Sequence, residues 1–288
     1  MTRGIRIRAW HPLDRTHIYD LGNQYNDSGP AKFLSLKTKY FVIQQGFVNN
    51  DDPANKMPFN IDFQVHGSGF KYTAFSVPYA GIVRKISIKV DGALAYEFSK
   101  LDLAVPKLAK WYASDDPFGK LQKLLKHNDK IFGSIFNDPD IYGGRGNDKL
   151  YGKDGDDTLD GAKGDDLSDG GYGNDYLKDS KGHNTFQFST MLSATMNLDT
   201  IHRFRAGDEI YLSHSIFPAI GNKLDKIEFV IGTAAQDHND HIIWNPSTHT
   251  ASYDPDGVGG MSAIPFFMTE NNAHITYKSF EVGVLLDY

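Results

Sequence analysis

Apolar residues follow three different rhythms along this chain of 288 residues. Between Ile61 and Phe98 polar and apolar residues alternate, in IDFQVHGSGFKYTAF and then in GIVRKISIKVDGALAYEF. A period of two puts successive side chains on opposite faces of a strand. The stretch therefore predicts strands, with Asp91-Gly92 as the tight turn of a hairpin. A second rhythm follows Asp116-Pro117, a favourable helix start, where FGKLQKLLKH sets Leu121, Leu124 and Leu125 on one face. One amphipathic helix is expected near 117–127. The third rhythm has a period of nine. From Gly143 the chain reads GGRGNDKLY, GKDGDDTLD, GAKGDDLSD, GGYGNDYLK and DSKGHNTFQ without a gap.

Each nine-residue unit divides into a six-residue turn and a three-residue strand. Glycine at the first and fourth positions (Gly143/Gly146, Gly152/Gly155, Gly161/Gly164, Gly170/Gly173) is expected to allow backbone angles that a Cβ would penalise. It also lets backbone carbonyls come close to a cation. The sixth position supplies Asp148, Asp157, Asp166 and Asp175. Carboxylate and carbonyl oxygens, about six to eight of them, are what a hard cation such as Ca²⁺ prefers. The eighth position, Leu150, Leu159 and Leu177, is expected to point inward and stack with its equivalents.

The units resemble the nonapeptide of RTX (hemolysin-type) calcium-binding proteins, G-G-x-G-x-D-x-U-x with U apolar. The resemblance implies a parallel β-roll in which two units make one coil, so ligands 18 residues apart stack on the same side. Asp148 then pairs with Asp166, and Asp157 with Asp175. Upstream, Asn128-Asp129 and Asn137-Asp138 continue the pattern, with Ile131 and Ile141 as inward residues. The step from Asp138 to Asp148 is ten, so Pro139 or a neighbour is an insertion. In the third unit the apolar position slips to Leu167 before Ser168, and in the fifth Asn184 replaces the aspartate and Phe186 faces inward. The candidate metal ligands are Asp129, Asp138, Asp148, Asp157, Asp166 and Asp175, with turn residues Gly144, Gly146, Gly155, Gly164, Gly171 and Gly173. About three to five Ca²⁺ ions are expected. Without them the facing aspartates are unneutralised and the glycine-rich segment is expected to be disordered.

Asn184 to Phe217 resembles the cap that follows RTX repeats in serralysin-type proteases, through Asp199-Thr200-Ile201 with Phe204 and through Gly207-Asp208-Glu209-Ile210-Tyr211-Leu212. That resemblance implies export by type I secretion machinery with an uncleaved C-terminal signal, ending here in SFEVGVLLDY. The expected architecture is mainly β. A β-rich N-terminal capping region with its helix spans 1–127, the calcium-binding β-roll 128–187, and a β cap with the secretion signal 188–288.

Charge sharpens the division. Residues 1–130 hold 19 basic and 12 acidic residues, which leaves 11 and 24 of the chain's 30 and 36 for 131–288. The net charge of −6 thus hides a basic half and an acidic half. No cysteine is present, so disulfides and thiolate metal sites are excluded. Arg3, Arg6 and Arg8 precede no apolar run of signal-peptide length, and no stretch is long and apolar enough for a transmembrane helix. The N-terminal positive charge is dispersed, which argues against nucleic-acid binding.

No catalytic constellation stands out: there is no H-E-x-x-H, and Gly67-Ser68-Gly69 is not a nucleophile elbow. In Asp254-Pro255-Asp256-Gly257 a turn is favoured over a further ion site, and His238 with His241 reads as a polar loop. Residues 1–55 carry no motif with a nameable chemistry. The leading expectation is a secreted, extracellular, non-enzymatic calcium-binding protein of the cell surface or matrix, with extracellular polysaccharide or a cell surface as further partner. The alternatives are an enzyme or autoprocessing protein with an N-terminal site, for which Asp-Pro bonds at Asp52, Asp116, Asp138 and Asp254 are candidates, and a membrane-active toxin. A toxin of this group would resemble others in having long apolar helices, which this chain lacks.

Overall fold

The computed structural model describes residues 6–9, 25–27, 32–37, 40–49, 58–72, 78–90, 93–99, 101, 103–107, 125–133, 135–138 and 140–284. The chain divides into two compact units, Met1–Lys130 and Ile131–Tyr288. Among the described residues no helix is long and apolar enough to cross a membrane.

The first unit is an antiparallel sheet. Its strands are β1 (Arg6–Ala9), β2 (Tyr25–Asp27), β3 (Lys32–Lys37), β4 (Tyr40–Asn49), β5 (Pro58–Tyr72), β6 (Pro78–Val90), β7 (Ala93–Ser99) and β8 (Leu103–Ala104). The order is β2-β4-β5-β6-β7-β1, with β3 also on β4 and β8 also on β6. The alternating stretch forms β5, β6 and β7, and β6 pairs β7 as far as Val90↔Ala93. Val65 and Ile86, partners across β5 and β6, are both buried, as are Val83, Leu101 and Leu103. The helix expected near 117–127 is only partly within view: residues 117–124 lie outside the described residues, and Leu125, Lys126 and His127 are not helical.

In the second unit successive short strands alternate between two parallel sheets. One carries β9 (Lys130–Phe132), β11 (Lys149–Asp154), β13 (Leu167–Tyr172), β15 (Thr185–Phe188), β17 (Glu209–Ser213) and β22 (Phe280–Gly283). The other carries β10 (Ile141–Arg145), β12 (Thr158–Lys163), β14 (Tyr176–Lys178), β16 (Asp199–Ile201) and β21 (Ile264–Thr269). The period of nine sets this pattern: the strand triplet recurs every half coil, so equivalent positions meet every 18 residues. Leu159 stands opposite Ile141 on one side and Leu177 on the other. Ile141, Leu159, Leu177 and Ile201 form one inner column, all at 0% exposure. Ile131, Leu150, Phe186 and Ile210 are buried along the other sheet. A short strand cannot stand alone in water, so this stacked interior is what holds each coil to the next.

The third unit of the repeat does not slip. Ser168 keeps the inward place, in register between Leu150 and Phe186, and is buried. Leu167 clusters instead with Phe132 and Tyr151, whose rings stack 5.1 Å apart. The ladder sets the register, and one polar residue in a column of apolar ones does not outweigh it.

The ladder also runs past the repeats. β15 continues in parallel to β17 and β17 to β22, while β14 continues to β16 and β16 to β21. Repeats and cap therefore share both sheets within one unit. Beyond β21 the order closes with antiparallel β20 (Thr250–Tyr253) and β19 (Ile242–Asn245), then β18 (Phe229–Ile231). Aromatic rings fill this end. Phe217 lies 5.0 Å from Tyr253 and 5.2 Å from Phe266, and Phe188 lies 5.1 Å from Phe266 and 5.4 Å from Phe267. Such edge and offset contacts suit aromatic quadrupoles.

Candidate metal centre

The sixth-position aspartates form two continuous columns at the turns. Each backbone N–H donates to the side chain one coil further on. In one column Asp138 N–H donates to Asp157 Oδ1 at 2.7 Å, Asp157 N–H to Asp175 Oδ1 at 2.8 Å, and Asp175 N–H to Asp199 Oδ1 at 3.2 Å. In the other, Asp148 N–H donates to Asp166 Oδ1 at 2.7 Å, Asp166 N–H to Asn184 Oδ1 at 3.1 Å, and Asn184 N–H to Asp208 Oδ1 at 3.0 Å. The insertion near Pro139 is absorbed without breaking the column: the step from Asp138 to Asp157 is 19 residues, and the bond is as short as its neighbours. Asp129 is buried and belongs to the N-terminal unit.

One oxygen of each of these side chains is thus used by the backbone one coil back, and in Asp208 the second oxygen is used as well, by the Arg205 N–H at 2.7 Å. Oδ2 of Asp157, Asp166 and Asp175 is buried and accepts no hydrogen bond. A buried, uncompensated carboxylate oxygen is expensive unless it is protonated or meets a cation. Burial first, and then the neighbouring aspartates, push the Asp157 carboxyl up to about 9, Asp166 to about 8 and Asp175 to about 7. Asp199 is raised as well, by burial and by Asp175 beside it.

The turn glycines divide their work differently from the sequence expectation. Positive φ occurs at the second and fourth positions: 102° at Gly144, 121° at Gly146, 109° at Gly155, 141° at Gly164, 100° at Gly171 and 132° at Gly173. First-position glycines are not in that set, and what they provide is space. A Cβ on Gly143 would sit 2.7 Å from Asp148 Oδ2, and one on Gly161 2.6 Å from Asp166 Oδ2. At the fourth position Gly164 and Gly173 lie directly over the carbonyls of Gly146 and Gly155. The expectation of special backbone angles at the first position is therefore corrected. The second position, where Lys153 and Ala162 also hold φ of 87° and 69°, bears the strain instead.

Among the described residues no three carboxylate or imidazole groups converge on one point. A cation held here would take carboxylate Oδ2 atoms from the column and complete its shell with backbone carbonyls, which the glycines leave uncovered. Oxygen-only, carbonyl-rich coordination is the preference of Ca²⁺ rather than of a nitrogen-seeking metal. The orphaned oxygens fit such an ion.

Sequence reasoning missed several members of this site. Asp199 and Asp208 extend the two columns into the cap after steps of 24 residues, outside the nonapeptide spacing that would have exposed them. Fifth-position side chains form a second ladder running the opposite way. Asn147 Oδ1 accepts from Asp165 N–H at 3.1 Å, Asp165 Oδ1 from His183 N–H at 2.8 Å, and Asp156 Oδ1 from Asn174 N–H at 2.8 Å. The recurrence of Asn or Asp at that position was the available signal. Elsewhere the polar loops are largely bonded within themselves, although Asp256 Oδ1 is buried without a partner. Asp256 Oδ2 accepts the N–H groups of Gly260 and Met261, and His241 Nδ1 lies 2.9 Å from the Asp254 carbonyl oxygen.

No curated protein matches this chain. The family model of the RTX calcium-binding nonapeptide repeat, in four copies, matches residues 140–168 and 169–187. The match covers the stretch in which the two sheets, the aspartate columns and the glycine turns all carry the period of nine. The chain is thus a mainly β protein that carries RTX calcium-binding repeats over residues 140–187.

Proposed function

We propose that the repeat region binds about three to five Ca²⁺ ions between successive turns and folds on binding them, and that the chain is a secreted, non-enzymatic protein of the cell surface or matrix. The observation that carries the reading is the set of buried Oδ2 atoms on Asp157, Asp166 and Asp175 that accept no hydrogen bond. In the absence of an ion the roll must either hold these carboxyls protonated or open. Calcium removes that penalty, so its binding energy becomes folding energy. Export follows the same logic: where Ca²⁺ is scarce the segment stays open and can thread a type I transporter, and outside it closes.

The test is far-UV circular dichroism of the full chain in EDTA, titrated with Ca²⁺ and separately with Mg²⁺. A gain of β signal with Ca²⁺ alone, reduced in Asp157→Ala with Asp175→Ala, supports the reading. An unchanged spectrum with Ca²⁺ overturns it. Recovery of the chain from the medium of cells expressing a type I transporter, and its retention when the C-terminal residues are removed, tests the export half.

A further inference from the structure

The fifth unit, Asp179 to Gln187, departs from the repeat at two places at once: aspartate stands where the first glycine belongs, and Asn184 stands where the aspartate belongs. Asn184 keeps the backbone function of the residue it replaces. Its Oδ1 accepts the N–H of Asp166 at 3.1 Å. It cannot replace the charge, and its Nδ2, a donor that no cation tolerates as a ligand, is buried without an acceptor.

Asp179 is equally buried, at 2% exposure. Its Oδ1 takes the N–H of Ser180 at 2.6 Å. Its Oδ2 is buried, accepts no hydrogen bond, and points over the α carbon of Gly161. A Cβ on Gly161 would lie 2.6 Å from Asp179 Oδ2 and 2.6 Å from Asp166 Oδ2. Two orphaned carboxylate oxygens from successive coils thus face the same small space, and Gly161 is what leaves it open. Above Gly152 and Gly170 the nearest carboxylate is the single aspartate of the same unit, Asp157 or Asp175.

We propose that Asp179 is a calcium ligand of this coil, acting with Asp166 across Gly161, and that it restores from the first position of the turn the negative charge that Asn184 removes from the sixth. The inference rests on the reading of the repeats as calcium sites and adds to it the one ligand that the repeat pattern places elsewhere. The exchange is coherent because the first and sixth positions of one turn border the same space: in the regular units the glycine at the first position exists to admit the Oδ2 of the sixth. With asparagine at the sixth position that oxygen is gone, and a carboxylate at the first position can enter.

The test counts the ions bound by the full chain, by equilibrium dialysis against radiolabelled Ca²⁺ and by calorimetric titration. The comparison is of the unsubstituted protein with Asp179→Asn, Asp157→Asn, and the double change Asp179→Gly with Asn184→Asp, which rebuilds a regular unit. Asp179→Asn is expected to bind one ion fewer, or to bind it about tenfold or more weakly, and the double change to recover that ion. Asp179→Asn with every ion at unchanged affinity, while Asp157→Asn loses one, overturns the role of Asp179 and leaves the calcium reading standing. An unsubstituted chain that binds no Ca²⁺ overturns both. If Asp179→Asn does not fold, the double change decides: a full ion count supports the exchange of positions, and a count one short overturns it.

Discussion

The backbone N–H of Asp157 donates to Oδ1 of Asp175, 18 residues further on, at 2.8 Å, while Oδ2 of the same Asp175 accepts no hydrogen bond. One side chain is thereby split between two tasks. Oδ1 is a rung of the scaffold, indifferent to charge, and Oδ2 is a buried carboxylate oxygen left open to the proposed cation. The same split recurs at Asp157 and Asp166.

It follows that the two tasks separate by mutation. Asp175→Asn keeps an oxygen for the Asp157 N–H and discards the buried charge, so its ion-free roll should be more stable than that of the unsubstituted chain and its calcium affinity lower. Asp175→Ala discards the same charge but also the rung, so in EDTA it should be less stable than Asp175→Asn by about 1 kcal/mol, with calcium affinity lowered as well. Urea unfolding in EDTA and calcium titration, run on both variants, read the two effects. Equal destabilisation by both in EDTA would remove the distinction.

Protons and calcium should act in opposite senses. The carboxyls of Asp157, Asp166 and Asp175 are raised from 3.8 to about 9, 8 and 7, by burial first and then by the aspartates neighbouring each. A folded-state value above the unfolded one means that the folded, ion-free roll holds more protons. Its stability is therefore fully present below the unfolded value and is lost as pH rises through the folded values. In EDTA the roll should gain structure on acidification from about pH 8 to about pH 5. Calcium requires the ionised form, so its affinity should fall over the same range. Circular dichroism and calcium titration at both values check the two signs, and a roll that melts in EDTA on acidification contradicts the assignment.

Glycine and alanine exchanged within one turn should give opposite results. Gly164 holds φ of 141° and lies over the carbonyl of Gly146, so Gly164→Ala should cost about 2 kcal/mol or more in the calcium-loaded state. Ala162 holds φ of 69°, a left-handed conformation that a Cβ disfavours, so Ala162→Gly should be neutral or gain up to about 1 kcal/mol. Gly221→Ala, where a Cβ would meet nothing within 4 Å, is the control. Thermal unfolding in excess Ca²⁺ ranks the three.

Ser168 occupies the inner column between Leu150 and Phe186, with its Oγ buried and without a partner. Removing the hydroxyl in Ser168→Ala relieves an unsatisfied polar group and should stabilise the calcium-loaded chain by about 1 kcal/mol. Denaturant midpoints at saturating Ca²⁺ measure it, and a loss of similar size would mean that the hydroxyl is bonded in solution.

A strict period of nine determined much by itself. Spacing predicted the turn-and-strand units and inward residues such as Leu159 and Leu177, and the resemblance of those units to the RTX nonapeptide implied the parallel roll and the coil-to-coil juxtaposition of Asp157 with Asp175. Alternation alone predicted the strands between Ile61 and Phe98. Tertiary structure decided what the period does not encode. Ser168 stays inward because its strand is held on both sides, whatever its own polarity. The roll continues to Asp199 and Asp208 because hydrogen bonding between coils follows the ladder, whether the connecting loop brings the step to 18 residues or to 24. Gly161 is glycine for space rather than for backbone angle, and Asp179 reaches that space from the next coil; both depend on what lies across the turn, a neighbour 18 residues away that no local pattern reveals.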